Sequence, residues 1–183
     1  MSSNSKVPPL AALIYPDDQH DIEALLESVA RRLQQSGRDV GGLVHHQSHY
    51  ANGNKCMRLL DLRSGQQFEM TEDLGVSSKA CSLNPQALAQ ASVVLRQALA
   101  DGVELAVVNC FGQLEAAGGG FVQEIAGLIG ADIPVITAVA ARHEAGWQAF
   151  TGGDFVSLPV DEEAVLCWCL QQLQTQGTED LPC

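Results

Sequence analysis

Short apolar runs alternate with longer amphipathic stretches along this chain, which restricts it to folds that separate buried strands by covering helices. The first run, residues 10–15, has proline on both sides, as a strand buried on both faces would. Asp21 is placed to cap a helix whose Ile22, Leu25, Leu26, Val29 and Leu33 share one face, ending near Ser36 and Gly37. Residues 40–45 read as a second strand, and residues 55–69, with Gly65 at the turn, as a hairpin. Asn84 followed by Pro85 marks a helix start, with Leu88, Ala91, Leu95 and Ala98 or Leu99 on its buried face before Asp101 and Gly102. Then come a strand at 105–109, a glycine-rich loop at 110–120, and a helix bearing Phe121, Ile125, Leu128 and Ile129. A strand at 134–139, a short helix at 144–150, a strand at 155–158 and a final helix at 161–174, capped by Asp161, complete the pattern. Right-handed crossovers between such strands give an α/β fold, a three-layer α/β/α sandwich around a mostly parallel sheet.

At 183 residues the chain is one domain, expected at 10–174 with a small β-hairpin insertion at 50–82. Residues 1–9 and 175–183 are expected to be a flexible N-terminus and tail. Hydrophobic residues make up 46%, enough for a substantial core. A net charge of −12 repels phosphate backbones, so nucleic acid is excluded as a nonspecific partner. No apolar run approaches the roughly 20 residues that cross a bilayer, and residues 1–9 lack a basic segment leading into an apolar one. Absence of membrane insertion and a cytoplasmic location are therefore expected. Six cysteines without C-x-x-C spacing read as reduced thiols, and Cys167 and Cys169, about 200° apart around a helix, cannot share a metal. The apolar stretch from Val165 to Leu170 is compatible with a homodimer.

Open parallel sheets take ligands at the carboxyl ends of their strands, so loops 16–21, 45–54, 110–120 and 140–144 are the ones to inspect. The first stands where a Walker A loop would sit, yet it has no glycine and no lysine, and it carries Asp17, Asp18 and Asp21. Those carboxylates suit helix capping, or more sharply a divalent cation, and they oppose a triphosphate. The second holds His45, His46, His49 and Tyr50, followed by Lys55 and Cys56, a donor set that zinc or copper could use. Alternatively it is a polar loop turning at 52–54, with Lys55, Arg58 and Arg63 free to face an oxyanion. In the third, Gly118, Gly119 and Gly120 precede a helix, an arrangement that lets backbone N–H groups approach an anion. Asn109 and Glu115 would line that pocket, and Arg142 and His143 follow the next strand, where Arg142 could clamp an anion bidentately.

Several stretches together resemble the bacterial family called domain of unknown function 2478, and more distantly the small Walker-type nucleoside triphosphatases. They are residues 10–15, 41–44, 56–65, 81–88 and 109–121, within a resemblance covering residues 10–170. It rests most on Asn109, Phe111, Gly112, Glu115, Gly118 and Gly120, with Cys56 and Cys81 where members of the family carry thiols. Members similar to this chain are associated with molybdate uptake, so the resemblance implies molybdate or tungstate, or a nucleotide, as ligand. Residues 105–112 correspond to the end of the triphosphatases' Walker B strand, where Asn109 and Cys110 replace acidic residues. Lysines of the family pattern are likewise replaced here by Cys110 and Gln113. The expected function is a non-hydrolysing P-loop NTPase-like protein that binds a small oxyanion or a nucleotide and is accessory to molybdenum handling. Its ligand groups would be Asn109, Phe111, Gly112, Glu115, Gly118 to Gly120, Arg142 and Arg58. The alternatives are a zinc or copper protein using Cys56, Cys81 and the histidines at 45, 46 and 49, and a weak nucleoside triphosphatase using Asp17 or Asp18 for magnesium.

Overall fold

A computed structural model of the chain describes residues 9–16, 21–72 and 82–176. Strand β1 (Leu10–Tyr15) leads to helix α1 (Ile22–Gln35), followed by β2 (Val40–His49), β3 (Lys55–Asp61), β4 (Gln67–Glu69), β5 (Thr71–Glu72) and β6 (Ser82–Leu83). Helix α2 (Pro85–Asp101), β7 (Leu105–Phe111), the single turn α3 (Gln113–Ala116), α4 (Val122–Gly130) and β8 (Val135–Ala140) come next. A 3-10 turn (Ala141–His143), α5 (Glu144–Thr151), β9 (Val156–Leu158) and α6 (Glu162–Gln176) close the order. The main sheet runs β4-β3-β2-β7-β8-β1-β9, and β5 and β6 form a separate two-stranded sheet. Strands β2, β7, β8, β1 and β9 are parallel, while β3 and β4 are antiparallel to their neighbours.

Each face of the sheet is sealed by its own apolar cluster, which is what makes three layers. On one face Leu95 of α2, Ile125 and Leu128 of α4 and Trp147 of α5 pack against Leu43, Val108, Val135 and Val139. On the other, Leu26, Val29 and Leu33 of α1 and Val165, Trp168 and Leu173 of α6 pack against Leu13, Val44, Val107 and Ile136. Gly42 lets β2 approach β7: its φ is +120°, and a Cβ there would fall 1.9 Å from the Val107 carbonyl oxygen.

The expected sandwich is present, with differences at element ends that bear on the site. β2 runs on to His49 because β3 pairs with it antiparallel from Leu43↔Asp61 to His49↔Lys55, so His45, His46 and His49 are strand residues and not a loop. β3 and β4 consequently widen the main sheet and do not form an appendage. β7 extends two residues past Asn109, and the loop after it folds into the turn α3. At the start of α1 the Asp21 side chain makes no capping bond, whereas Asn84 Oδ1 accepts from the N–H groups of Gln86 and Ala87, and Asp161 Oδ1 from that of Ala164. α6 continues to Gln176, into the expected tail, and residues 1–8 and 177–183 lie outside the described residues. Val165, Trp168 and Cys169 of the stretch considered for dimerisation are buried in the chain's own core, while Leu170 is exposed.

Candidate ligand crevice at the carboxyl edge

The parallel register aligns Tyr15 with Ala140 and Val139 with Phe111, so β1, β7 and β8 end level with one another. β7 pairs Val108 with Thr137 but Cys110 with Ala138, which makes Asn109 an extra residue, a bulge in a parallel strand. The bulge inverts the facing of the residues beyond it. Phe111 turns into the core, where its ring lies 5.2 Å from Trp147 and 5.6 Å from Phe150. Phe111 is thus a packing residue of this edge. The position of Asn109 in the strand is described, and its side chain is outside the described part.

Glu115 is 8% exposed and works as a brace. Its Oε2 accepts from the Gly112 N–H at 3.0 Å and its Oε1 from the Phe121 N–H at 3.1 Å, which closes the loop between β7 and α4. Gly120 has φ +57°, and a Cβ on it would lie 2.0 Å from Glu115 Oε1. Within the same loop the N–H of Gly118 donates to the Glu115 carbonyl and that of Gly119 to the Leu114 carbonyl. The triple glycine is therefore built for loop closure, and those two donors face inward instead of forming an anion cradle. Gly118, Gly119 and Gly120 line a cleft of about 310 Å3 against the first turns of α2 and α4, with Pro85, Leu88, Ser92 and Gln123.

The remaining candidates fall in different places. Arg142 is exposed in the turn after β8, at the carboxyl edge, next to His143. Arg58 sits on β3 in a row of strand partners, His46↔Arg58↔Glu69, with its guanidinium 3.9 Å from the Glu69 carboxylate. Glu69 also accepts from the Tyr50 hydroxyl, which donates in addition towards the Thr71 carbonyl; the Glu69 bond and burial raise the tyrosine above its ordinary range. Cys56 is buried on β3, across from Ser48. Cys81, Asp17 and Asp18 lie outside the described residues.

Two histidines are engaged by α1. His45 Nδ1 is 3.1 Å from Glu23 Oε1, and His46 Nε2 is 2.6 Å from Glu27 Oε2, the two carboxylates standing one helical turn apart. His49 is at the far end of β2, paired with Lys55. Among the described residues no three His, Cys, Asp or Glu side chains gather as a metal set. The part played by Glu23 and Glu27 was missed by sequence reasoning; their i, i+4 spacing beside paired histidines was the available signal, and the packing of α1 on β2 was not.

A five-strand parallel core in the chain order 2-3-4-1-5 is a P-loop NTPase-like fold. Within that class the chain belongs to the family described as Protein of unknown function (DUF2478), which matches residues 10–168. It is 37% identical over 162 residues to part of a protein of Bradyrhizobium diazoefficiens named Molybdenum import ATP-binding protein ModC 2. That match takes in 87% of this chain and spans 18% of the length of the Bradyrhizobium protein. The fold is shared with the solution structure of a human cancer-related nucleoside triphosphatase, at a TM-score of 0.61 and 14% identity, over 97% of this chain and 100% of that one. Among the described residues no helix is long and apolar enough to cross a membrane.

Proposed function

We propose that the chain is a non-hydrolysing P-loop NTPase-like protein that binds a small oxyanion, molybdate or tungstate, or a nucleotide, as an accessory to molybdenum uptake or handling. The observation that carries this is the 37% identity to part of a protein named for molybdenum import. The local chemistry agrees with loss of hydrolysis. The segment after β1 offers neither the glycines that free backbone N–H groups nor the lysine that reaches terminal phosphates. By the resemblance to the triphosphatases, Asn109 and Cys110 replace the acidic residues that would hold magnesium. Arg142 supplies positive charge at the carboxyl edge, where an oxyanion in an acidic protein needs it most.

Titration calorimetry of the full chain with molybdate, tungstate, sulfate and ATP tests the proposal. Saturable heat is expected from molybdate or tungstate, or from ATP without release of phosphate, and Arg142→Ala is expected to weaken binding about tenfold. Silence from all four anions would overturn the binding reading, and sustained phosphate release from ATP would overturn its non-hydrolysing part.

A further inference from the structure

Helices α4 and α5 return between parallel strands, so both end at the amino edge of the sheet, opposite the carboxyl-edge crevice. A cleft of about 470 Å3 opens there, between the two helix ends and the start of β1. Leu10 of β1, Ala126 and Ile129 of α4 and Phe150 of α5 give it an apolar lining. Leu10 is a core residue, and Ile129 and Phe150 pack against the core while still reaching the cleft, so the fold fixes this floor. The rim is acidic. Asp132 in the turn after α4 and Asp154 in the turn after α5 both line the opening and are exposed.

Nothing described in the chain balances that charge. Among the described residues no lysine or arginine lines the cleft, and neither carboxylate pairs with a described cation, whereas Asp39 and Asp101 share Arg63. The negative ends of the α4 and α5 dipoles add to the same field. Asp132 is also the one described residue other than glycine with positive φ, +57°, whereas the turn after α5 uses Gly152 and Gly153 at +65° and +80°. A glycine would suit that backbone better, so the turn after α4 keeps a carboxylate at some conformational cost.

The combination selects one kind of guest. A hard metal ion needs several oxygen donors gathered around it, and among the described residues no three such groups converge. An anion is repelled, and a neutral apolar molecule gains from the floor alone. An organic cation uses every part: its apolar body covers Leu10 and Ile129, Phe150 offers a ring to an aromatic group or an ammonium, and the two aspartates take the charge. The volume is that of a small-molecule site. We propose that this amino-edge cleft binds a small organic cation, a primary ammonium on an apolar body of about the size of an aromatic ring, through Asp132, Asp154 and Phe150. The site is separate from the carboxyl edge and does not rest on the oxyanion reading.

The test is an NMR titration of the isotope-labelled full chain with phenethylamine, its neutral analogue phenethyl alcohol and the anion phenylacetate. Phenethylamine should move the amide signals of Ala126, Gly130, Asp132 and Thr151 saturably, with a Kd on the order of 1 mM or tighter. The alcohol should bind about tenfold more weakly and phenylacetate should leave these signals in place. Asp132→Asn, which keeps a residue tolerant of left-handed backbone, combined with Asp154→Asn should bring the amine down to the level of the alcohol. Glu163→Gln, which removes a charge from α6 on the other face, should leave the amine's affinity unchanged. Should the double variant fail to fold, the unmodified chain decides: raising the salt to about 0.5 M should shrink the amine's advantage over the alcohol. Equal affinity for amine and alcohol, an unaltered Kd in the folded double variant, or amine-induced shifts confined to the carboxyl edge would overturn the proposal.

Discussion

Gly120 and Glu115 hold each other in place: the glycine leaves room for the carboxylate, and the carboxylate closes the loop through two backbone N–H groups. Gly120→Ala is expected to destabilise the protein by about 3 kcal/mol, through a Cβ set against Glu115 together with left-handed backbone. Gly118 also has positive φ, +84°, but open space around its Cβ direction, so Gly118→Ala should cost only about 1–2 kcal/mol. Urea unfolding of the two variants checks the difference, and equal losses would mean that the brace contributes little. The sequence marked these glycines as special without showing the carboxylate that Gly120 makes room for. A glycine run looks the same whether its freedom serves an anion or a buried carboxylate, and the partner is fixed only by where Glu115 folds back.

Among the elements, α1 and α2, long helices on opposite faces, start differently. α2 begins with a capped and proline-led turn, whereas α1 begins without a side-chain cap. Asn84→Ala should therefore cost about 1 kcal/mol, and Asp21→Ala no more than a few tenths, in the same unfolding measurement. α6 makes a second contrast. Cys167 is exposed and Cys169 buried, the burial pushing the Cys169 thiol up to about 12. With a disulfide reagent at pH 8, Cys167 should react while the chain is folded and Cys169 only at the rate of unfolding, as residue-resolved mass spectrometry would show. All three helices were legible from spacing, and α2 and α6 also from their cap residues, since those signals are local. The extension of β2 through His49 was not, because the histidines become strand residues only when β3 supplies hydrogen-bond partners.

For the molecule as a whole, exposed ion pairs tie separate parts together: Arg32 of α1 reaches Glu162 and Glu163 of α6, and Arg63, in the turn after β3, reaches Asp101 of α2. Arg63 holds the Asp101 carboxyl below its ordinary range, and Arg32 does the same to Glu162. A carboxyl with a lowered folded pKa stabilises above its ordinary value, and the contribution is lost as pH falls through the folded value. Arg32→Ala and Arg63→Ala should therefore lower the melting temperature modestly at pH 7 and not at pH 2, where the carboxylates are protonated. An equal loss at both pH values would show that the arginines act through packing alone. The alternation of apolar runs and amphipathic helices determined the layered α/β architecture by itself, because each element's period and capping are written in neighbouring residues. The family resemblance was legible for the same reason, in contiguous motifs. What only the tertiary structure decided was where side chains distant in sequence meet: the bulge that turns Phe111 inward, the carboxylates of α1 on the histidines of β2, and the cleft that Leu10, Ile129 and Phe150 share. Those depend on strand register and on helix placement across the sheet, which arise from long-range packing and leave no periodic trace in the chain.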